Sequence, residues 1–253
     1  MGKFLEKLDV VELFCMIACV AAWVGFSFLT PNHLYLPPQS SEYNYPYKSR
    51  EIIPIVVLEI ITFPGVWLFF IIFYFIQKKL TKFFKRFNIF PLIWTHISTV
   101  SITNSVVLIL QNIVGRAGVD FYSRCGATAT PDTCTFLDKS ALHDLLRSFP
   151  STHAASAMSS FLFFTLYLQK LIKYKSTPLT ILEFLPVFVG LWIGATRITD
   201  YKAHPCDVVA GYIIGTIITL IFWKTSKHVV FKAINTDDEE NNEKHEVEQS
   251  LVS

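Results

Sequence analysis

The apolar residues of this chain come in blocks of about twenty with short polar connections, and that clustering constrains its fold more than any other feature. Neither the alternation of a half-buried strand nor the stripe of an amphipathic helix accounts for such blocks. Their length matches roughly 30 Å of hydrocarbon crossed as α-helix, and a helix satisfies its own backbone hydrogen bonds where water is absent. Six blocks can be placed, near 10–29, 53–75, 93–113, 153–171, 179–195 and 207–223. The last three are short and carry polar residues at their ends. The predicted fold class is therefore an all-α membrane protein, a bundle of six transmembrane helices over residues 10–223. A short N-terminal segment (1–9) and a tail (224–253) flank it. With 52% hydrophobic residues the chain is no ordinary soluble domain, and a net charge of +2 is too small to suggest a nucleic-acid partner. The first block lacks a small-residue cleavage site and reads as a start-transfer helix.

Basic residues give the orientation. The segments grouped with the termini hold fourteen of the 22 Lys and Arg, including Lys78, Lys79, Lys82, Lys85 and Arg86, against eight on the other side. The positive-inside rule then makes both termini cytoplasmic. Cys125 and Cys134, nine residues apart in the third loop, fall on the oxidising side, where a disulfide between them is expected. The tail turns acidic at 237–243 and has too few apolar residues to fold alone.

Two stretches carry chemistry. Ser151-Thr152-His153 follows Pro150 directly before an apolar helix. Ser151 suits the N-cap, the helix start suits an anion, and His153 suits a proton donor to a leaving group. About fifty residues on, Arg197 offers a planar fork for phosphate oxygens, and Asp207 places a carboxylate at the start of the last span. Glu59, Asn104, Gln111, Asn112 and Glu183 are the other polar residues within spans. The two carboxylates read as close enough to an interface to reach water, and the amides as helix-to-helix ties.

Together these residues, with Tyr45-Pro46-Tyr47-Lys48 before the second span, make the chain resemble the type 2 phosphatidate phosphatase superfamily over roughly residues 10–223. The resemblance implies a six-helix lipid phosphate phosphatase bundle that needs no metal or cofactor. It also implies three motifs in one site: K-x6-R-P, P-S-G-H and S-R-x5-H-x3-D. There the last histidine attacks phosphorus, the middle one protonates the leaving alcohol, and the final Asp orients the nucleophile. Carried over, His153 is the proton donor, Asp207 the orienting group, and Ser151, Thr152 (for glycine) and Arg197 hold phosphate. The nucleophile position falls on Ala203, with His204 one residue late. The first motif's lysine, arginine and proline fall on Gln111, Gly118 and Val119.

A methyl group cannot attack phosphorus, and loss of a nucleophile elsewhere costs on the order of 10⁶ in rate. These four departures resemble the non-catalytic, phospholipid phosphatase-related (plasticity-related) branch. The expected function is binding or modulation of phosphorylated lipids such as phosphatidate, lysophosphatidate or sphingosine 1-phosphate, as a pseudoenzyme of phospholipid signalling. Protein partners or self-association are further expectations, with the plasma membrane the expected location and the endoplasmic reticulum or Golgi left open. The alternative is a divergent, working phosphatase with His204 as nucleophile. A channel or transporter is a weaker reading, since the sequence has neither a repeat nor a broken helix pair.

Overall fold

The computed structural model describes residues 10–134 and 137–231. In chain order its helices are α1 (Val10–Ser27), α2 (Ile55–Lys79), α3 (Ile89–Val114), the short α4 (Phe121–Cys125) and α5 (Lys139–Leu145), α6 (Thr152–Leu171), α7 (Thr177–Thr199) and α8 (Pro205–Val230). The protein is an all-α membrane protein: α1, α2, α3, α7 and α8 are each long and apolar enough to cross a bilayer. The helix over the remaining block, α6, has a different composition. Ser156, Ser159, Ser160 and Thr165 dilute its hydropathy, and all four are buried at the centre of the bundle. The last helix continues past Trp223 to Val230, so the first residues assigned to the tail are helical. Residues 1–9 and the acidic stretch 237–243 lie outside the described residues.

Lipid tails are as apolar as leucine, so helix association here rests on close packing and interhelical hydrogen bonds. Both are visible on α6. Gly211 and Gly215, one turn apart on α8, face Ala154, Ala155 and Met158; a Cβ on Gly215 would stand 2.6 Å from the Ala155 carbonyl oxygen. Hydroxyls tie the same contact, with Ser159 Oγ 3.1 Å from both Thr219 Oγ1 on α8 and Thr103 Oγ1 on α3. Ser156 Oγ donates to Asn104 Oδ1 of α3 at 2.5 Å.

A second network explains a break in α2. Pro64 lacks an N–H, and the helix widens into a π-turn over Ile61–Gly65. Ser160 Oγ donates to the Thr62 carbonyl in that turn at 2.7 Å. Trp67 Nε1 donates to His96 Nδ1 at 3.1 Å, which leaves the ring hydrogen on Nε2, 2.9 Å from Ser160 Oγ. Every donor in this local network thus meets an acceptor. Glu183 corrects an expectation: it does not reach water but is 2% exposed and paired with Lys175 at 2.8 Å.

At the end of the bundle carrying the sequence motifs, Gly115 (φ 60°) caps α3 in the left-handed region. A Cβ there would collide with the Asn32 carbonyl, so only glycine lets the chain cross at that point. A small apolar cluster roofs this end, built from Leu36, Tyr43, Phe121, Tyr122, Leu145 and Leu146 with Cys125 and Cys134. Those two cysteines are disulfide-bonded, with Cα atoms 5.0 Å apart. The opposite end is aromatic, with Phe70, Phe87 and Phe164 packed around Tyr167.

Candidate phosphate-binding site

Four segments converge at the motif end: the end of α3 with the loop after it, the start of α6, the stretch from Arg197 to Asp207, and a strap over residues 45–54. They enclose a cavity of about 730 Å³. Gln111, Gly118, Ser151, Thr152, His153, Arg197 and Ala203 all line it. Residues up to 92 positions apart in sequence, Gln111 and Ala203, therefore share one chamber.

Ser151 caps α6, its Oγ accepting from Ala154 N at 3.4 Å, while its own N–H donates to the Asp207 carbonyl at 3.0 Å. Beside it His153 is 7% exposed, with Nε2 3.1 Å from the carbonyl oxygen of Ile53. A carbonyl can only accept, so Nε2 carries the hydrogen. Gln111, expected at the lysine position of the first motif, has an amide nitrogen that serves the protein itself. It lies 2.7 Å from Pro150 O, 2.8 Å from Arg147 O and 2.9 Å from Thr152 Oγ1, pinning the loop that starts α6. Gly118 is confined: even a Cβ would press on Asp120 and Leu145 at 3.2 Å. Val119 is buried outside the cavity lining, its carbonyl accepting from Tyr45 N. Ala203 presents a methyl to the chamber and packs with Ala154 and Val208.

Asp207 and His204 sit behind this wall rather than in it. Asp207 is fully buried, and its carboxylate receives Ser148 Oγ at 2.5 Å, Arg116 Nη1 at 2.8 Å and the His204 backbone N–H at 3.0 Å. The His204 ring lies with Nδ1 3.2 Å from Asp207 Oδ2 and Nε2 3.3 Å from Glu42 Oε1, edge-on to Tyr43. Burial works against the charge on Arg116, yet its bond to Cys206 and the Asp207 carboxylate outweigh burial and hold the guanidinium above its usual range.

The sequence reading did not single out the strap's Glu51 or the cations Arg50, Arg147 and Lys202. Arg50, Arg124, Arg147 and Lys202 join Arg197 in the lining, against Glu51, Asp120 and Asp144. Five cations against three carboxylates leave a formal excess of two positive charges. Arg197 donates to Glu51 at 2.7 Å, Lys202 lies 3.2 Å from Asp120, and Arg147 pairs with Asp144 at 4.0 Å. Arg124 and Lys202 flank the ring of Tyr47, 5.0 and 4.4 Å from its centre. The sequence signal for these cations was adjacency to the motif residues: Lys202 precedes Ala203, and Arg147 precedes Ser148.

An integral membrane protein with a cationic chamber at one end of its helices is the class defined by this fold and site. The family model of the PAP2 superfamily matches residues 92–230, more than half of the chain, and the chain belongs to that superfamily. It is 30% identical over 132 residues to the probable diacylglycerol pyrophosphate phosphatase 1 of Schizosaccharomyces pombe, covering 47% of each chain. It is 36% identical over 85 residues to phospholipid phosphatase-related protein type 1 of Rattus norvegicus, covering 33% of this chain and 26% of that one. Over 93 residues it is 34% identical to a putative phosphatidate phosphatase of Drosophila melanogaster, covering 35% and 24%. The matched region thus spans less than half the length of each of these relatives. No solved structure matches the chain.

Proposed function

We propose that this protein binds phosphorylated lipids of the phosphatidate, lysophosphatidate or sphingosine 1-phosphate kind at the cavity and does not hydrolyse them. The observation that carries the reading is Ala203: a methyl lines the chamber at the family's nucleophile position, with His153 and Arg197 in the same lining. A cavity with two excess positive charges suits a phosphomonoester, which carries about −1.5 to −2 near neutral pH. In this reading α6 spans the bilayer with the other five long helices. Both termini are cytoplasmic, and the chamber opens on the opposite side, at the plasma membrane. The degenerate first motif supports the same conclusion, because Gln111 is spent on holding a loop rather than on a ligand.

One observation favours the rival, an active phosphatase with His204 as nucleophile: the 3.2 Å approach of His204 Nδ1 to Asp207 is the arrangement that activates an imidazole. Its other nitrogen faces Glu42 rather than the chamber. Purified protein in lipid nanodiscs with radiolabelled phosphatidate and no added metal separates the two. Saturable binding that weakens in Arg197→Ala, with no phosphate released, is the expected result. Phosphate release that disappears in His204→Ala would overturn the proposal.

A further inference from the structure

The strap that crosses the cavity mouth ends on both of the groups a ligand phosphate would use. It is anchored along its length: Tyr45 N donates to Val119 O at 2.9 Å, Lys48 Nζ to Thr199 O at 2.5 Å, and Ile52 N to the buried Asp200 Oδ2 at 2.7 Å. Between and beyond those anchors, Glu51 places Oε2 2.7 Å from Arg197 Nη1, and the Ile53 carbonyl takes the His153 Nε2 hydrogen at 3.1 Å. Arg197 is 13% exposed and Glu51 26%, so the pair is sheltered from water and salt. A carboxylate against a guanidinium is chemically close to one edge of a phosphate in the same fork.

We infer that Glu51 is a built-in competitor for the anion site, a carboxylate that a ligand must displace from Arg197, and that this displacement sets a threshold which phosphomonoesters clear and singly charged phosphodiesters do not. The inference rests on the phosphate-binding reading of the cavity. A phosphodiester headgroup brings one negative charge, no more than the Glu51 carboxylate already offers Arg197, and gains little by exchange. A phosphomonoester brings up to two charges, with more oxygens to share between Arg197 and the neighbouring Lys202, itself 4.0 Å from Glu51. The Arg197 pair and the His153 hydrogen bond thus make the empty site self-satisfied, and the ligand has to be a better anion than the one in residence.

The test uses full-length protein in nanodiscs and two probes, phosphatidate and phosphatidylglycerol, with wild type, Glu51→Gln, Glu51→Asp, Arg197→Ala and the Glu51→Gln/Arg197→Ala pair. Glu51→Gln keeps the side-chain shape and removes the charge. It is expected to tighten phosphatidate binding about tenfold, equivalent to about 1.4 kcal/mol. It should tighten phosphatidylglycerol by a similar factor, because both headgroups displace the same carboxylate, and so bring its binding into the measurable range. Glu51→Asp, one methylene short of Arg197, should fall between wild type and Glu51→Gln, and keeps the proposal testable if the amide variant folds poorly. Unchanged or weaker phosphatidate binding in both variants, with Arg197→Ala still weakening it, overturns the competitor role and leaves the cavity reading intact. Binding indifferent to Arg197→Ala in both backgrounds overturns the cavity reading, and with it this inference. Wild-type binding of phosphatidylglycerol as tight as that of phosphatidate overturns the threshold.

Discussion

Asp207 should behave as a structural anchor, and removal of Arg116 exposes that role. Asp207 has no accessible surface, while the Arg116 side chain is 17% exposed. Breaking a buried ion pair from one side costs about 3–5 kcal/mol, because the surviving charge stays desolvated. In Arg116→Met the Asp207 carboxylate keeps Ser148 Oγ and the His204 N–H, so the lower end, about 3 kcal/mol, is expected. The second partner of Arg116, Glu42, is about half exposed and adds little. At about 2–4 °C per kcal/mol for a chain of this size, the midpoint of thermal unfolding should fall by about 6–12 °C. Tryptophan fluorescence of detergent-purified protein reads this directly. The double variant Arg116→Met/Asp207→Asn supplies the decisive control, because removing both charges leaves nothing uncompensated. Its loss should be smaller than the sum of the single losses by about 2 kcal/mol. A loss under about 2 °C in Arg116→Met, or strict additivity in the cycle, would refute the anchor role.

Gly215→Ala places a methyl against the Ala155 carbonyl oxygen and should cost about 1–3 kcal/mol, whereas Gly25→Ala on α1, with nothing within 4 Å, should cost nothing. Comparing the two midpoints separates a packing requirement from helix propensity. Reduction of Cys125–Cys134 reopens a short loop and should remove about 2–3 kcal/mol; alkylation of both thiols only after reductant, seen by mass spectrometry, checks the bond itself. Lys85 lies between spans, and burial, then repulsion from Lys170, Lys173 and Lys175, holds its ammonium below the usual range. Since the unfolded chain binds the proton more tightly, stability should rise as pH climbs from that depressed value toward about 10.4. Lys85→Gln should flatten this slope and raise the midpoint by about 1–2 °C at neutral pH, and a lower midpoint would contradict the repulsion.

The spans were legible because each block must satisfy its backbone internally, which ties length and composition to one structure. Where sequence and structure part, a neighbouring segment explains it. Ser156, Ser159 and Ser160 lower the hydropathy of α6 because they face helices rather than lipid, with Asn104 the partner of Ser156, Thr103 and Thr219 those of Ser159, and Thr62 that of Ser160. Glu183 looked able to reach water, but Lys175 from the preceding loop covers it. Ser151, Thr152, His153 and Arg197, which line the chamber, were found through motif spacing on α6 and α7, since a helix end fixes where the next few side chains fall. Glu51 could not be found that way. It meets Arg197 across 146 positions, through a strap whose path depends on anchors at Val119, Thr199 and Asp200.

Physical chemistry links the strap to the altered motifs. A cavity holding Arg147, Arg197 and Lys202 largely away from open water must be compensated when empty, or the like charges destabilise the fold. An enzyme that turns substrate over gains from leaving that compensation weak, since each internal pair competes with the phosphate it must bind. Here the pairs are strong and local: Glu51 on Arg197, Asp120 on Lys202, Ile53 on His153, and Gln111 turned to the α6 loop. Each contact stabilises the empty chamber and each opposes a ligand by the same amount. Under the proposed function, a histidine placed at Ala203 would therefore enter a site whose His153 and Arg197 are already engaged. Under the proposed function the chemistry is withheld in two places, at Ala203 and at Glu51, and the second is the one a bound lipid can reverse.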